Sequence, residues 1–535
     1  MRRILMILAI LMVLGLISCR AAGLLPVINP QADSRLTATL ASPTFTLVEA
    51  TPTATSTPVL TPTLRPSPSP TTEPSPTSSP SSSFTVRYHP DQALYVGDQV
   101  SWEVFPSAEM DLSGHAVTVW VDDQRENPFG PLEFSPFGIQ GRMQATFTWA
   151  WDTSELEPGS YTLTYSVDPS GFQWTETLFL HPQSALLPPE PEAQWAVAES
   201  DCCVIYYISG TEAERDLDRL LNQMDDVAQS VAQRMGAPLE EPVTVTLLPR
   251  VLGHGGFASD GISVSYLDRN YAGSYVEMVL HHEMVHILDS RLGGELRPTI
   301  LVEGLAVYLS GGHFKPEAIL PRAAALLLLA DNDSGRELGW YKELGPLADS
   351  FYPAQHEIGY LQAAALVEFM IQTWGWDAFM DFYRDIQPHP SGSQAQAMQA
   401  ALLKHFEISL AELEQVFLDE LRRQEVTPEH VQDVRLTVEY YDSVRRYQQQ
   451  LDPSAYFMTA WLVDRREMQE RGIVADYVRR PTAAENILLE EMLVDAHQRL
   501  ISGDYSGTEL ALGNISAALD ALLAGIPWGG SGAGE

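Results

Sequence analysis

Inside an apolar stretch from Tyr275 to Leu292 stand His282, Glu283 and His286, spaced as H-E-x-x-H. The stretch is closed by Gly293-Gly294, and its composition predicts a buried helix. On a helix, residues four apart share one face, so the two imidazoles converge on a single point, as metal ligands must. Two histidines and a carboxylate in such surroundings are costly unless a cation compensates them. Glu283 sits beside the convergence point without occupying it, where it can take a proton from a water at the metal. Any fold this chain adopts must bury this helix and bring a further ligand to it.

A catalytic zinc needs three protein ligands and an open position. The histidine that would complete the set in a longer H-E-x-x-H-x-x-G-x-x-H motif is absent, because Asp289 and Leu292 occupy the positions of its Gly and last His. Beyond Pro298 a second helical stretch, Thr299 to Tyr308, is stopped by Gly311-Gly312 and carries one charged side chain, Glu303. With Glu303 come Gly304, Ala306 and Tyr308, so that H-E-x-x-H is followed by Glu-Gly-x-Ala-x-Tyr. In this joint pattern the chain resembles the gluzincin clan of zinc metallopeptidases, most closely its peptidase MA-like families, over about residues 195–386. The resemblance implies Zn2+ held by His282, His286 and Glu303, with Glu283 as general base. It also implies a tyrosine or histidine from a later helix at the oxyanion, for which Tyr360 and His356 are the candidates. There are departures. Val307 stands where thermolysin-like enzymes carry Asp, leaving Asp289 to orient His286, and the Gly-x-Met-Glu-Asn signature of the aminopeptidase branch is missing, which favours endopeptidase action. His281 is about 100° around the helix from His282 and is expected to pack or hydrogen-bond elsewhere.

The ends of the chain place this site in context. Met-Arg-Arg and the apolar run Ile4 to Ile17 form a secretory leader, too short to span a bilayer comfortably. It closes on Leu16-Ile17-Ser18-Cys19, which resembles a bacterial lipobox and implies cleavage before Cys19 and a lipid anchor on its sulfur. From about Thr37 to Ser83 the chain is nearly all Thr, Pro, Ser and small residues, which cannot form a core and read as a semi-stiff stalk. The balance of 70 Asp and Glu against 32 Lys and Arg repels phosphate backbones, so nucleic acid is not expected as a partner. Only Cys202 and Cys203 remain after Cys19, and adjacent Cα atoms are closer than ordinary disulfides need, so they are expected to be free buried thiols.

Between Phe84 and Pro182, the runs Ala116 to Val121, Ala145 to Trp149 and Tyr161 to Val167 alternate apolar and polar residues, which predicts antiparallel strands. An immunoglobulin-like sandwich fits this length, and Leu156 to Leu163 resembles bacterial Ig-like accessory domains. After Pro188-Pro189, the pattern predicts a strand at Val204 to Ile208. A helix follows with apolar residues from Leu217 to Val231, stopped by Gly236, and then strands at Val243 to Leu248 and Ile262 to Leu267. The rest is helical in character. The fold class expected is therefore multidomain: an all-β Ig-like sandwich, then an α+β zincin-like metallopeptidase domain with a helical C-terminal portion. The expected boundaries are 1–19 for the leader, 20–83 for the stalk, 84–182 for the sandwich, 183–193 for a linker, 194–425 for the peptidase domain and 426–535 for the C-terminal helices. The corresponding function is a lipid-anchored, extracytoplasmic zinc peptidase acting on peptide or protein substrates. The alternatives are a surface binding protein that keeps a protease fold without catalysis, and a zinc amidase acting on cell-wall material.

Overall fold

The computed structural model describes residues 83–525, apart from 108–109, 123, 125, 138–140, 252, 254, 274, 314, 330–338, 353–355 and 461–464. The leader, Cys19 and nearly all of the stalk lie outside the described residues, as does the side chain of His356. The chain is multidomain, with a sheet-rich N-terminal region and a helical C-terminal part.

The N-terminal strands are β1 (Phe84–His89), β2 (Leu94–Tyr95), β3 (Gln99–Pro106), β4 (Ala116–Val121), β5 (Phe129–Glu133), β6 (Ser135–Phe137), β7 (Arg142–Asp152), β8 (Gly159–Asp168) and β9 (Phe172–His181). They form two sheets, ordered β1-β3-β7-β6 and β2-β9-β8-β4-β5. Alternation decides which side chains face inward: Val100, Trp102 and Val104 of β3 meet Val117 and Val119 of β4 and Leu163, Tyr165 and Val167 of β8 in one core.

A five-stranded mixed sheet follows, built from β10 (Trp195–Glu199), β11 (Cys203–Ile208), β12 (Val243–Leu248), β13 (Gly256–Ala258) and β14 (Ile262–Ser265) in the order β10-β11-β12-β14-β13. The three central strands are parallel, and β10 and β13 run antiparallel at the edges. A crossover helix, α1 (Leu217–Met235), joins β11 to β12, burying Leu220, Met224, Val227 and Val231, and Gly236 ends it at a φ of 67°. Both elements follow from the apolar spacing.

The expectation of free thiols is overturned: Cys202 and Cys203 form a disulfide across Cα atoms 3.7 Å apart. A tight turn sets their side-chain directions, a constraint that Cα spacing alone does not contain. Asp225 Oδ1 accepts from the Cys202 N–H and the Ser200 hydroxyl, both at 2.8 Å, and the Ser200 N–H donates to the Cys203 carbonyl at 2.9 Å.

Beyond the sheet, the long helices begin with α2 (Val276–Leu292), α3 (Thr299–Ser310) and α4 (His356–Trp374). Nearer the end of the chain, α5 (Pro428–Leu451) opens a C-terminal bundle completed by α6 (Ala484–Ser502) and α7 (Tyr505–Leu523). Among the described residues, no helix is long and apolar enough to cross a membrane.

Candidate metal centre

Helix α2 is buried nearly all round, with Val279, Leu280, Met284, Val285, Ile287 and Leu288 in the core. It lies against α1, α3 and strands β13 and β14. Helix α3 is positioned by a close backbone approach to α4. A Cβ on Gly304 would stand 2.4 Å from the Ala363 carbonyl oxygen, so only glycine allows this contact. The neighbouring side chain, Glu303, is thereby carried to the two imidazoles.

The three ligand atoms form a compact triangle. His282 Nε2 and His286 Nε2 are 2.9 Å apart, and Glu303 Oε2 lies 3.3 Å from the first and 3.2 Å from the second. Bonds of about 2.0–2.1 Å in a tetrahedral site set neighbouring donors about 3.3 Å apart, so a zinc-sized ion fits this triangle. Of two unsatisfied atoms, one supports the fit and one departs from it. Glu303 Oε2 is buried and, despite its proximity to both rings, makes no hydrogen bond of acceptable geometry, and His282 Nδ1 is buried without a partner. A cation would satisfy the carboxylate oxygen; the bare Nδ1 means that His282 lacks the outer support typical of metal-bound histidines.

Charges in the site are mutually dependent. Burial by itself would raise the Glu303 carboxyl, but His286 and His282 together hold it well below the usual range. Burial would lower His286, and Glu303 outweighs that effect, lifting it to about 9. Glu283 is not part of the triangle. Its carboxyl is raised by burial, with the two histidines pulling the other way. It sits against the sheet edge, where a Cβ on Gly256 of β13 would come 3.6 Å from its Cγ.

Further side chains close around the carboxylate. Tyr352 donates to Glu303 Oε1 at 2.8 Å while remaining 44% exposed. Tyr360, buried on α4, also engages Glu303, and its ring stacks on His313 at 4.1 Å between centroids. His313 in turn lies 5.7 Å from the His282 ring. His356 opens α4 one turn before Tyr360. Asp289, the expected orienter of His286, is buried and acts on that ring as a nearby charge. Its Oδ2 accepts from Tyr383 at 2.8 Å and Arg297 at 2.9 Å. His281 points away from the triangle, with Nε2 3.4 Å from Ser230 Oγ, and burial lowers it to about 4.

Sequence reasoning missed Tyr352, His313 and strand β13. The first two lie in loops, where no periodicity marks a side chain for the site. The aromatic pair Phe351-Tyr352 just before α4 is the one signal that could have drawn attention.

No known family model matches this chain, and no curated protein is found similar to it. Among solved structures, it is similar to an aminopeptidase N family protein from Idiomarina loihiensis. The two share 10% sequence identity, with 65% of this chain and 78% of that chain covered, at a TM-score of 0.26. At that level the likeness carries no functional weight, and what can be said of this chain's activity comes from the geometry of the triangle and its surroundings.

Proposed function

We propose that this chain is a zinc-dependent peptidase, an endopeptidase by preference, displayed outside the cytoplasm on a lipid anchor at Cys19. The observation that carries the reading is the convergence of His282, His286 and Glu303 on one point, with the separate carboxylate of Glu283 beside it. When bound there, zinc supplies Lewis acidity and makes water nucleophilic near neutral pH.

The chain's own residues then divide the remaining work. Glu283, raised by burial, accepts the proton of the attacking water and delivers it to the departing amine. Its place against Gly256 puts this proton transfer next to β13, which has no strand on its outer side among the described residues. Such an edge can take up an extended peptide by main-chain pairing. Tyr352 gives its one proton to Glu303 Oε1 and would have to turn from it to donate to the oxyanion on substrate binding, leaving Tyr360 to fix the carboxylate.

The two-sheet region at 84–182 serves in this reading as an Ig-like accessory module, and the tract before it as a stalk. The Cys202–Cys203 disulfide supports an oxidising, extracytoplasmic setting. The test is Glu283→Gln. Loss of a general base costs roughly 10²–10⁴-fold in rate, while the ligand triangle is left intact. The expected result is zinc content equal to wild type with peptide hydrolysis abolished, and retained hydrolysis would refute the assignment.

A further inference from the structure

Strand β13 is only three residues long and has one neighbour, with Gly256, Phe257 and Ala258 registered on Val264, Ser263 and Ile262 of β14. A strand this short has little stability of its own, so its position must be imposed from outside. Ile262 and Val264 of β14 are in the peptidase core with Ala258 packed against it, and Phe257 packs against the cluster of Trp149, Phe457 and Met458. The flanks of the segment are held separately, at Arg250-Val251 upstream and at Arg269 and Tyr271-Ala272 downstream. Arg250, Val251, Tyr271 and Ala272 are buried, and none of the four belongs to the peptidase core.

Val251, Tyr271 and Ala272 belong to the core of the C-terminal bundle, packed with Leu436, Tyr440 and Val444 of α5 and with side chains of α6 and α7. Every other buried member of that core comes from those helices. Polar contacts repeat the pattern. Arg250 pairs with Asp452, both 2% exposed or less, and Tyr271 donates to Asp452 Oδ2 at 2.9 Å. Tyr440 donates to the Tyr271 carbonyl at 2.6 Å. At Gly273, φ is 80° and a Cβ would stand 2.5 Å from the His497 ring of α6, so the backbone itself rests on the bundle just before α2 begins.

We propose that the C-terminal bundle is a clamp that fixes β13 relative to α2, making Tyr271, Tyr440 and Asp452 positioning residues for an extended peptide laid along β13. The inference rests on the peptidase reading. It follows from the contact between Gly256 and Glu283: any shift of the hairpin against α2 changes the distance between a bound peptide backbone and the base. A substrate too short to pair with β13 does not depend on that alignment.

The test compares Tyr440→Phe and Tyr271→Phe with Thr508→Val. The last loses a bond from the fully buried Thr508 hydroxyl to the Asp504 carbonyl at 2.8 Å, within the bundle and away from the segment. Leaving a buried carbonyl or carboxylate short of a donor favours local opening by about tenfold. Amide hydrogen exchange of residues 255–265 is therefore expected to quicken about tenfold in the first two variants and not in the third. With zinc content unchanged, kcat should fall for a peptide long enough to lie along β13, and a dipeptide amide should be cleaved as by wild type. Hairpin exchange equal to wild type, or equally faster in Thr508→Val, overturns the clamp, as does an equal loss on long and short substrates. Failure of the wild-type protein to cleave either substrate would instead sink the peptidase reading, and the exchange comparison would still decide the clamp.

Discussion

Replacing Glu303 by glutamine preserves shape but dictates which atom faces the imidazoles. Tyr352 donates to Oε1 at 2.8 Å, and Oε2 points between His282 and His286. A glutamine keeps the tyrosine as a donor only with its carbonyl oxygen at the Oε1 position, which turns the amide NH2 toward the two Nε2 atoms. That group is a donor and offers a metal nothing. Turned around, the amide gives its NH2 to the phenol oxygen, which can accept, and presents to the metal a neutral oxygen in place of a carboxylate. In either orientation zinc affinity should fall by more than the 10–100-fold that changes outside the ligand set cost. Tyr352→Phe is such an outside change: it strips one hydrogen bond of about 1 kcal/mol from the ligand carboxylate and should weaken binding about fivefold, given that 1.4 kcal/mol is tenfold. Both affinities are read by competition with a chromophoric chelator at fixed pH. An E303Q protein that binds zinc as tightly as Tyr352→Phe would refute the geometric argument.

Two other outcomes follow from packing and charge. Gly304→Ala places a methyl 2.4 Å from the Ala363 carbonyl oxygen, and forcing α3 off α4 should cost about 1–3 kcal/mol and weaken zinc binding; an unchanged Tm and zinc affinity would contradict this. Burial raises the Asp476 carboxyl to about 6, against the pull of a Trp149 N–H bond at 3.1 Å. Because its folded value lies above the unfolded one, its contribution to stability is full below about pH 4 and lost as pH rises through about 6. Asp476→Asn should therefore gain on wild type by about 2 kcal/mol between pH 4 and pH 7 in urea denaturation, and a pH-independent difference would refute it.

What could be read from the chain was local. Apolar spacing and Gly236 mark α1, and alternation marks β4 and β8, because each pattern follows from the geometry of one element. The pairing of His282 with His286 is likewise internal to α2. The meeting of Glu303 with them depends on Gly304 settling against Ala363, 59 positions away, and no spacing rule contains that distance. Strand β13 carries too few residues for a period to register, and part of its anchoring comes from Val251 and Tyr271 in a core built mostly after residue 428. The disulfide was missed because the expectation used Cα separation alone, whereas Asp225 and the turn at Ser200 govern the sulfur positions.

Arg479 grips Asp98 of the N-terminal sheet region through two bonds of 2.7 Å and Glu190 through its Nε at 2.8 Å. Nearby, His89 bonds Ser454 at 2.7 Å and stacks on Phe457. Anyone trimming this protein to a minimal enzyme by starting after Pro189 would strip Arg479 of Asp98, bare the Trp149-facing side of Asp476 and uncover Phe457. The shortened product should be sticky and poorly folded even though every residue of the metal triangle is still there. Recombinant work is better begun at Phe84.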